Sequence, residues 1–221
     1  MPEWKNDKEL FEIMKKEIYT GVLCDMLDTL DFCHQFLPRQ IQAIRPEMVM
    51  AGRAFPTIIC DIYGKQEKPL GKLVEAIDAC GEDMVYFVTG GDRRCSYFGE
   101  IMTARLKANK AVGAVIDGPM RDSRQVLEQN FPVFCIGRDA QGSGYRNLVL
   151  DYNVPVEIGG ISIKPGDLVF GDIDGVVVIP KEIETKAVEI TLERVRNETE
   201  TRKAVDAGLS AAEAVKLYGV F

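Results

Sequence analysis

The sequence predicts one α/β domain with helical arms at both ends. Three observations carry that prediction. Apolar, β-favouring runs alternate with amphipathic helical segments between residues 41 and 136. Residues 154 to 180 are crowded with turn signals between short β-rich runs. Charged, helically periodic segments flank both, over 1–32 and 181–221. Strand–helix alternation followed by strand–turn repetition describes a mixed sheet with helices packed on it. No internal repeat, low-complexity run or linker interrupts the 221 residues, so 1–221 is taken as a single domain.

Composition narrows the function before any motif does. Hydrophobic residues make up 46%, ample for a core. The net charge of −7 argues against nucleic acid or an anionic membrane as partner. A local arginine cluster can still reverse the field inside a cleft. No apolar run approaches the roughly 20 residues of a membrane span. The charged, periodic N-terminus is unlike a signal or transit peptide, which places the expectation in the cytoplasm. Six cysteines (24, 33, 60, 80, 95, 135) form no CxxC pair and read as buried reduced thiols, not a disulfide frame or zinc site. His34 is the only histidine, so a His-rich metal cage or HExxH motif is excluded. Its setting, DFCHQFLP, suggests a helix end or loop.

Taken in order, Asn6 or Asp7 caps a helix to about Ile18, with Leu10, Phe11, Met14 and Ile18 at helical spacing. Thr20 is expected to cap a second helix, GVLCDMLDTLDF, whose Asp25 and Asp28 read as surface or capping groups. Residues 41 to 63 are β-like. Leu70 to Ala79 is a short amphipathic helix, and residues 83 to 88 a strand that runs into Gly90-Gly91. No GxxxxGK[ST] or GxGxxG accompanies that glycine pair, so neither a nucleotide nor S-adenosylmethionine has a motif. Phe98-Gly99-Glu100 opens a helix to about Lys110; Gly99 is either a turn glycine or a point of close approach beside a first-turn anion site. Phe131 to Ile136 is a strand, and 138 to 152 an exposed loop carrying Arg138 and Arg146. Short hairpins fill 154 to 180, the DIDG of 172–175 being a hairpin turn without the oxygen spacing of a calcium loop. A long charged helix follows from Lys181 to about Ala207, with a thin apolar face of Ile183, Ala187, Ile190 and Val195. Ser210 and Glu213 form a capping box for a last helix ending LYGVF.

Chemistry concentrates in VGAVIDGPMRDSR, residues 112 to 124. An apolar strand is ended by Asp117-Gly118-Pro119, and Arg121-Asp122 follows before a helical segment, Ser123 to Gln129. Strand ends are where α/β proteins display reactive groups. Asp suits a hard divalent cation and Arg a planar carboxylate or enolate. The alternative is a plain ion pair, with Asp122 or Ser123 capping the next helix.

The set FGEIM…GAVIDGPMRD…FPVFCIG…NVPVEIGGISIKPGDLVFGDIDGVVVIP resembles the RraA-like family over nearly the whole chain. That family contains the regulator of ribonuclease activity A and metal-dependent pyruvate aldolases for 4-hydroxy-4-methyl-2-oxoglutarate and 4-carboxy-4-hydroxy-2-oxoadipate. The resemblance implies a β/β/α swivelling-type, phosphohistidine-domain-like fold, and a homotrimer or a pair of trimers. It implies a substrate loop at Gly99, Glu100, Ile101 and Met102, a substrate arginine at Arg121 and a metal ligand, for Mg²⁺ or Mn²⁺, at Asp122. Residues 101 to 120 separate Glu100 from Arg121, the family's acid-x20-Arg-Asp spacing. Glu100 stands where the family's aldolases carry Asp. A further glutamate, from a neighbouring subunit's C-terminal helix, is matched by Glu198.

These residues allow cleavage of a 4-hydroxy-2-oxo acid to pyruvate, and decarboxylation of oxaloacetate through the same enolate. The proton of the C4 hydroxyl would leave to a water or hydroxide on the metal, oriented by Glu100 or Glu198. Substrate selection is expected from Arg93, Arg94 or the neighbouring helix. The lysines sit in charged helical surfaces, against a Schiff-base mechanism. The rival expectation is a non-catalytic protein that regulates a ribonuclease by contact.

Overall fold

A computed structural model describes residues 2–219, and the chain opens on two helices, α1 (Asp7–Glu17) and α2 (Thr20–Asp28). Asn6 caps α1, its side chain accepting from the Glu9 amide at 3.0 Å. The cap of α2 differs from expectation. Tyr19 holds the N-cap position without a side-chain bond, and Thr20 is buried in the first turn. Asp172, far along the chain, takes both the Thr20 amide (2.8 Å) and its hydroxyl (2.7 Å). A tertiary carboxylate supplies what a local side chain would have, and its charge suits a helix N-terminus.

One eight-stranded sheet forms the centre. The strands are β1 (Gln42–Ala43), β2 (Met50–Asp61), β3 (Met84–Thr89), β4 (Gly113–Met120), β5 (Val133–Arg138), β6 (Asn147–Tyr152), β9 (Leu168–Asp172) and β10 (Gly175–Ile179). The order is β1-β5-β4-β3-β2-β9-β10, with β6 also on β2. The four strands β2 to β5 pair in parallel and the rest antiparallel. Crossovers between the parallel strands carry α3 (Leu73–Ala79), α4 (Glu100–Ala108) and α5 (Ser123–Glu128). Residues 35–37 lie along β10, through Leu37 N–H to the Val176 carbonyl and Val178 N–H to that of Gln35. Six residues on, β1 pairs with β5. The segment 35–43 thus joins the two ends of the sheet into a nearly closed, barrel-like wall. A hairpin of β7 (Val156–Ile158) and β8 (Ile161–Ile163) stands apart from the sheet.

Alternation along each strand sorts the side chains. Val85, Phe87, Val115, Phe134, Val176 and Val178 pack with the β7–β8 hairpin. The intervening Tyr86, Val88, Ala114, Ile116, Val133 and Cys135 pack with Ala76, Ile77, Leu106 and Val126 from α3, α4 and α5. Val177 and Ile179 face a third cluster with α1, α2 and α6 (Glu184–Asp206). The fold is a mixed α/β single domain.

Three sequence readings are corrected. Residues 138–152 are not a plain loop: a single 3-10 turn (Ser143–Tyr145) leads into β6 on the outer side of β2. Strand β4 does not stop at Asp117 but runs to Met120, a register shift between Ile116 and Pro119 absorbing the Gly-Pro pair. On α6 the buried face includes Val188, Thr191 and Leu192, which the thin-face reading omitted. The last helix, α7 (Ala211–Tyr218), has the expected capping box; Val220 and Phe221 of the LYGVF reading lie outside the described residues. Among the described residues no helix is long and apolar enough to cross a membrane.

Arg53 of β2 binds the helical arms to the sheet. It donates to both oxygens of Asp7 on α1 (2.7 and 2.6 Å), to Glu184 on α6, and stacks over Phe11. Its side chain is only 17% exposed. Removing one partner of a largely buried network strands the others, so Arg53→Leu is expected to lower the unfolding free energy by about 3 kcal/mol in urea melts. The hydrogen bonds from Arg53 hold the Asp7 carboxyl below its usual pKa of 3.8. Its contribution is therefore complete above pH 3.8 and disappears as pH falls through the lower, folded value. Asp7→Asn is expected to flatten stability against pH below 3.8 and leave the slope above it unchanged.

Candidate active site

The site begins where β4 runs out. Residues 97–98 lie parallel to the end of β4: Tyr97 N–H donates to the Pro119 carbonyl (3.0 Å) and Arg121 N–H to the Phe98 carbonyl (2.9 Å). Gly99 then enters α4 while Arg121 and Asp122 leave β4 beside it. The approach is close. A Cβ on Gly99 would stand 2.6 Å from Asp122 Oδ2 and 3.3 Å from Arg121 Cγ, so any side chain there would displace the pair. Asp122 itself is left-handed (φ 54°, ψ 35°), a conformation a non-glycine residue adopts at a cost.

Asp122 precedes α5 but its side chain does not cap that helix. It turns to α4, whose Glu100 amide donates to Oδ2 at 3.3 Å, with Arg121 Nε 3.4 Å from the same oxygen. Both side chains are exposed, at 47% and 39%. A loose, exposed ion pair contributes little stability. Gly99 offers no side chain to the first turn of α4, which leaves the N–H groups of Ile101 and Met102 without helical partners.

These groups share one cleft of about 830 Å³, with Gly99 to Met102, Arg121 and Asp122 along one side. Leu70, Leu73, Val74 and Ile77 make an apolar wall, and Gly142 to Arg146 close the other side. The Gly142 turn lies against the end of the Arg121 side chain, whose Nη1 a Cβ there would displace. Sequence reasoning missed this turn and the apolar wall, because the pairing of β6 with β2 places both. Glu100 is exposed at the helix start, and among the described residues its side chain has no hydrogen-bond partner. No lysine lines the cleft.

Other expected residues lie elsewhere. Glu198 is on α6 in a separate groove, bonded to the Tyr19 hydroxyl and to Arg194 Nε at 2.6 Å. Burial, then the Glu198 bond, push the Tyr19 hydroxyl up to about 12. Arg93 donates to Asp117 (2.5 Å), and Arg94 donates to the Ile62 and Arg146 carbonyls while covering the Tyr63 ring; neither lines the cleft. His34 is exposed in the loop after α2. All six cysteines are free, but Cys33 is exposed and Cys24 and Cys60 only partly buried, against the reading of uniformly buried thiols. Burial raises Cys80 to about 12 and Cys135 to about 11, which leaves them unreactive near neutrality. Among the described residues no group of three or more His, Cys, Asp and Glu gathers.

The chain is thus a barrel-like α/β domain that brings one carboxylate, one guanidinium and a helix N-terminus together at a strand end. More narrowly, the chain belongs to the RraA-like family, described as Aldolase/RraA, which matches residues 20–178. A protein of Halalkalibacterium halodurans with the provisional name 4-hydroxy-4-methyl-2-oxoglutarate aldolase is 31% identical over 145 residues, 66% of this chain and 69% of that one. A solved structure described as novel cellulases from microbes associated with the gut ecosystem is 34% identical, with a TM-score of 0.82 over 89% of this chain and 88% of that one. Streptomyces coelicolor RraAS2, described as an unusual member of the RNase ES inhibitor RraA protein family, is 25% identical, with a TM-score of 0.78 over 91% and 99%.

The contacts of Asp122 within the chain are long, 3.3 Å to the Glu100 amide and 3.4 Å to Arg121 Nε, and its backbone is left-handed. Asp122→Gly is expected to leave the unfolding free energy within about 1 kcal/mol of wild type, or to raise it. A loss above about 2 kcal/mol in urea melts would make Asp122 a structural residue.

Proposed function

We propose that the protein is a divalent-metal-dependent lyase that cleaves 4-hydroxy-2-oxo acids, of the 4-hydroxy-4-methyl-2-oxoglutarate and 4-carboxy-4-hydroxy-2-oxoadipate type, to pyruvate, and that it also decarboxylates oxaloacetate. The observation behind this reading is the meeting of Arg121, Asp122 and the uncapped start of α4 in one cleft. The aldolase name of the H. halodurans relative supports it. The finer fold assignment, a swivelling-type β/β/α domain, belongs to the same reading.

Asp122 fits a hard cation. Both protein contacts of its carboxylate fall on Oδ2, and Mg²⁺ or Mn²⁺ in such sites takes one or two carboxylates and keeps its waters. The cation would supply Lewis-acid stabilisation of negative charge. The chain's own residues do the rest. The Ile101 and Met102 amides hold the C1 carboxylate. Breaking C3–C4 leaves its electron pair on C3, delocalised to the C2 oxygen, where the Arg121 guanidinium donates. The C4 hydroxyl loses its proton to a water that Glu100 orients, and C4 departs as the carbonyl of the second product. Protonation at C3 completes pyruvate. With oxaloacetate the same bond breaks, CO₂ leaves, and no hydroxyl proton has to move. Glu198 would enter only from a second copy, in a homotrimer or a pair of trimers.

Pyruvate release from a panel of 4-hydroxy-2-oxo acids and from oxaloacetate tests this. EDTA and Asp122→Ala are each expected to abolish release, and Arg121→Ala to lower kcat on the order of 10²-fold. Glu100→Gln is expected to slow aldol cleavage far more than decarboxylation. Wild-type rates from Asp122→Ala would refute the metal ligand. The likeness to RraAS2 favours a second reading, a non-catalytic regulator of a ribonuclease; capture of a ribonuclease by a protein with no divalent-dependent turnover would select it.

A further inference from the structure

Arg146 stands across the cleft from the Asp122 corner, between the 3-10 turn and β6. Its backbone is fixed on both sides: its amide donates to the Ser143 carbonyl (2.7 Å), and its own carbonyl receives the Ile62 amide (2.8 Å) and Arg94 Nη2 (3.1 Å). Its Nη1 donates to the Gly142 carbonyl at 3.0 Å. Among the described residues the remaining donors, Nε and Nη2, meet no acceptor, and no carboxylate lies within ion-pair distance. The side chain is nevertheless partly buried.

Among the described residues Arg45 alone shares that combination, and it lies outside the cleft, so Arg146 is the one such guanidinium that lines it. Arg53, Arg93, Arg105, Arg194 and Arg196 each hold a carboxylate at 3.1 Å or less. A guanidinium drawn partly out of water without a counter-charge costs stability, and its planar fork is shaped for a carboxylate. The missing partner has a direction. Gly142 is in contact with Arg121 Nη1 and gives its carbonyl to Arg146 Nη1, so one glycine lies against both cations. A ligand anchored at Arg121 and Asp122 therefore extends towards Arg146.

Resting on the lyase reading for its anchored end, we propose that Arg146 is a specificity-determining residue that binds a second carboxylate, carried by the part of the substrate beyond C3. The enzyme then selects 2-oxo acids that carry a further carboxylate on C4, which release a second 2-oxo acid, over those without one, which release an uncharged aldehyde.

Calorimetric titration with Mg²⁺ present compares pyruvate, which has one carboxylate, with 2-oxoglutarate, which has a second. Wild type is expected to bind 2-oxoglutarate at least tenfold more tightly. Arg146→Met keeps the side chain's length and removes its charge; it should bring the two affinities within threefold, and Arg146→Lys should restore part of the preference. In turnover, the kcat/KM ratio of 4-hydroxy-4-methyl-2-oxoglutarate to 4-hydroxy-2-oxopentanoate should fall 10- to 100-fold in Arg146→Met, mainly through KM. A wild type without the preference, or an Arg146→Met variant that keeps it or loses both ligands equally, overturns the assignment. The lyase reading falls separately: if wild type releases no pyruvate yet Arg146→Met still loses the binding preference, the carboxylate subsite stands and the chemistry does not.

Discussion

Two backbone hydrogen bonds, from Tyr97 to Pro119 and from Arg121 to Phe98, hold the whole site together. They extend the sheet by one short strand beyond the point where β3 has left it. The start of α4 and the Arg121–Asp122 pair, more than twenty positions apart in sequence, become neighbours because of them. The surroundings fix this junction firmly. Asp117 is buried and receives the Thr89 hydroxyl (2.7 Å) and Arg93 (2.5 Å). The Tyr97 hydroxyl accepts from the Arg93 amide, and its ring covers Gly118. On the far side Asp139 N–H donates to the Met120 carbonyl, while Ser96 binds the Gln141 carbonyl through both its amide and its hydroxyl. The Gly142 turn is thereby tied to the same corner. A cleft assembled on paired backbone positions its side chains more closely than one built on free loops.

Arg53 and Arg121 differ in how fully the fold engages their charge. Arg53 is enclosed by two carboxylates and an aromatic ring, so its charge is fully engaged by the fold. Arg121 has one distant partner on the adjacent residue and stays exposed. The chain carries a net charge of −7, yet the cleft offers two guanidinium groups and a helix N-terminus against two carboxylates. An overall acidic protein can thus receive an anion, because the field that matters is local.

Much of this was legible in the sequence wherever the cause is local. Asn6 and the Ser210–Glu213 box cap the helices assigned to them, and the DIDG turn joins β9 to β10, because caps and tight turns depend on a few adjacent residues. Strands β3 and β4 carried their continuous apolar runs openly. The candidate residues Gly99 to Met102, Arg121 and Asp122 do meet in one cleft. What escaped depends on distant partners. Strand β6 is short, flanked by arginines and glycines, and exists because β2 has a free outer edge. The cap of α2 comes from Asp172, about 150 residues away. Arg146 looked like one more loop arginine until β6 placed it at the cleft.

The two regions singled out by sequence sit on different clusters of the core. The cleft is built over the α3–α4–α5 side of β3 and β4. Glu198 lies on α6, which packs with α1 and α2 against β9 and β10. In one chain Glu198 is already occupied by Tyr19 and Arg194. The Arg53 network fixes the base of α6 to the sheet, so the helix cannot swing across without breaking its most buried ion pairs. A glutamate from α6 therefore has one route to the Asp122 corner: another copy of the chain must present it. Glu100 needs no such help, because it leads the helix whose free amides line the cleft.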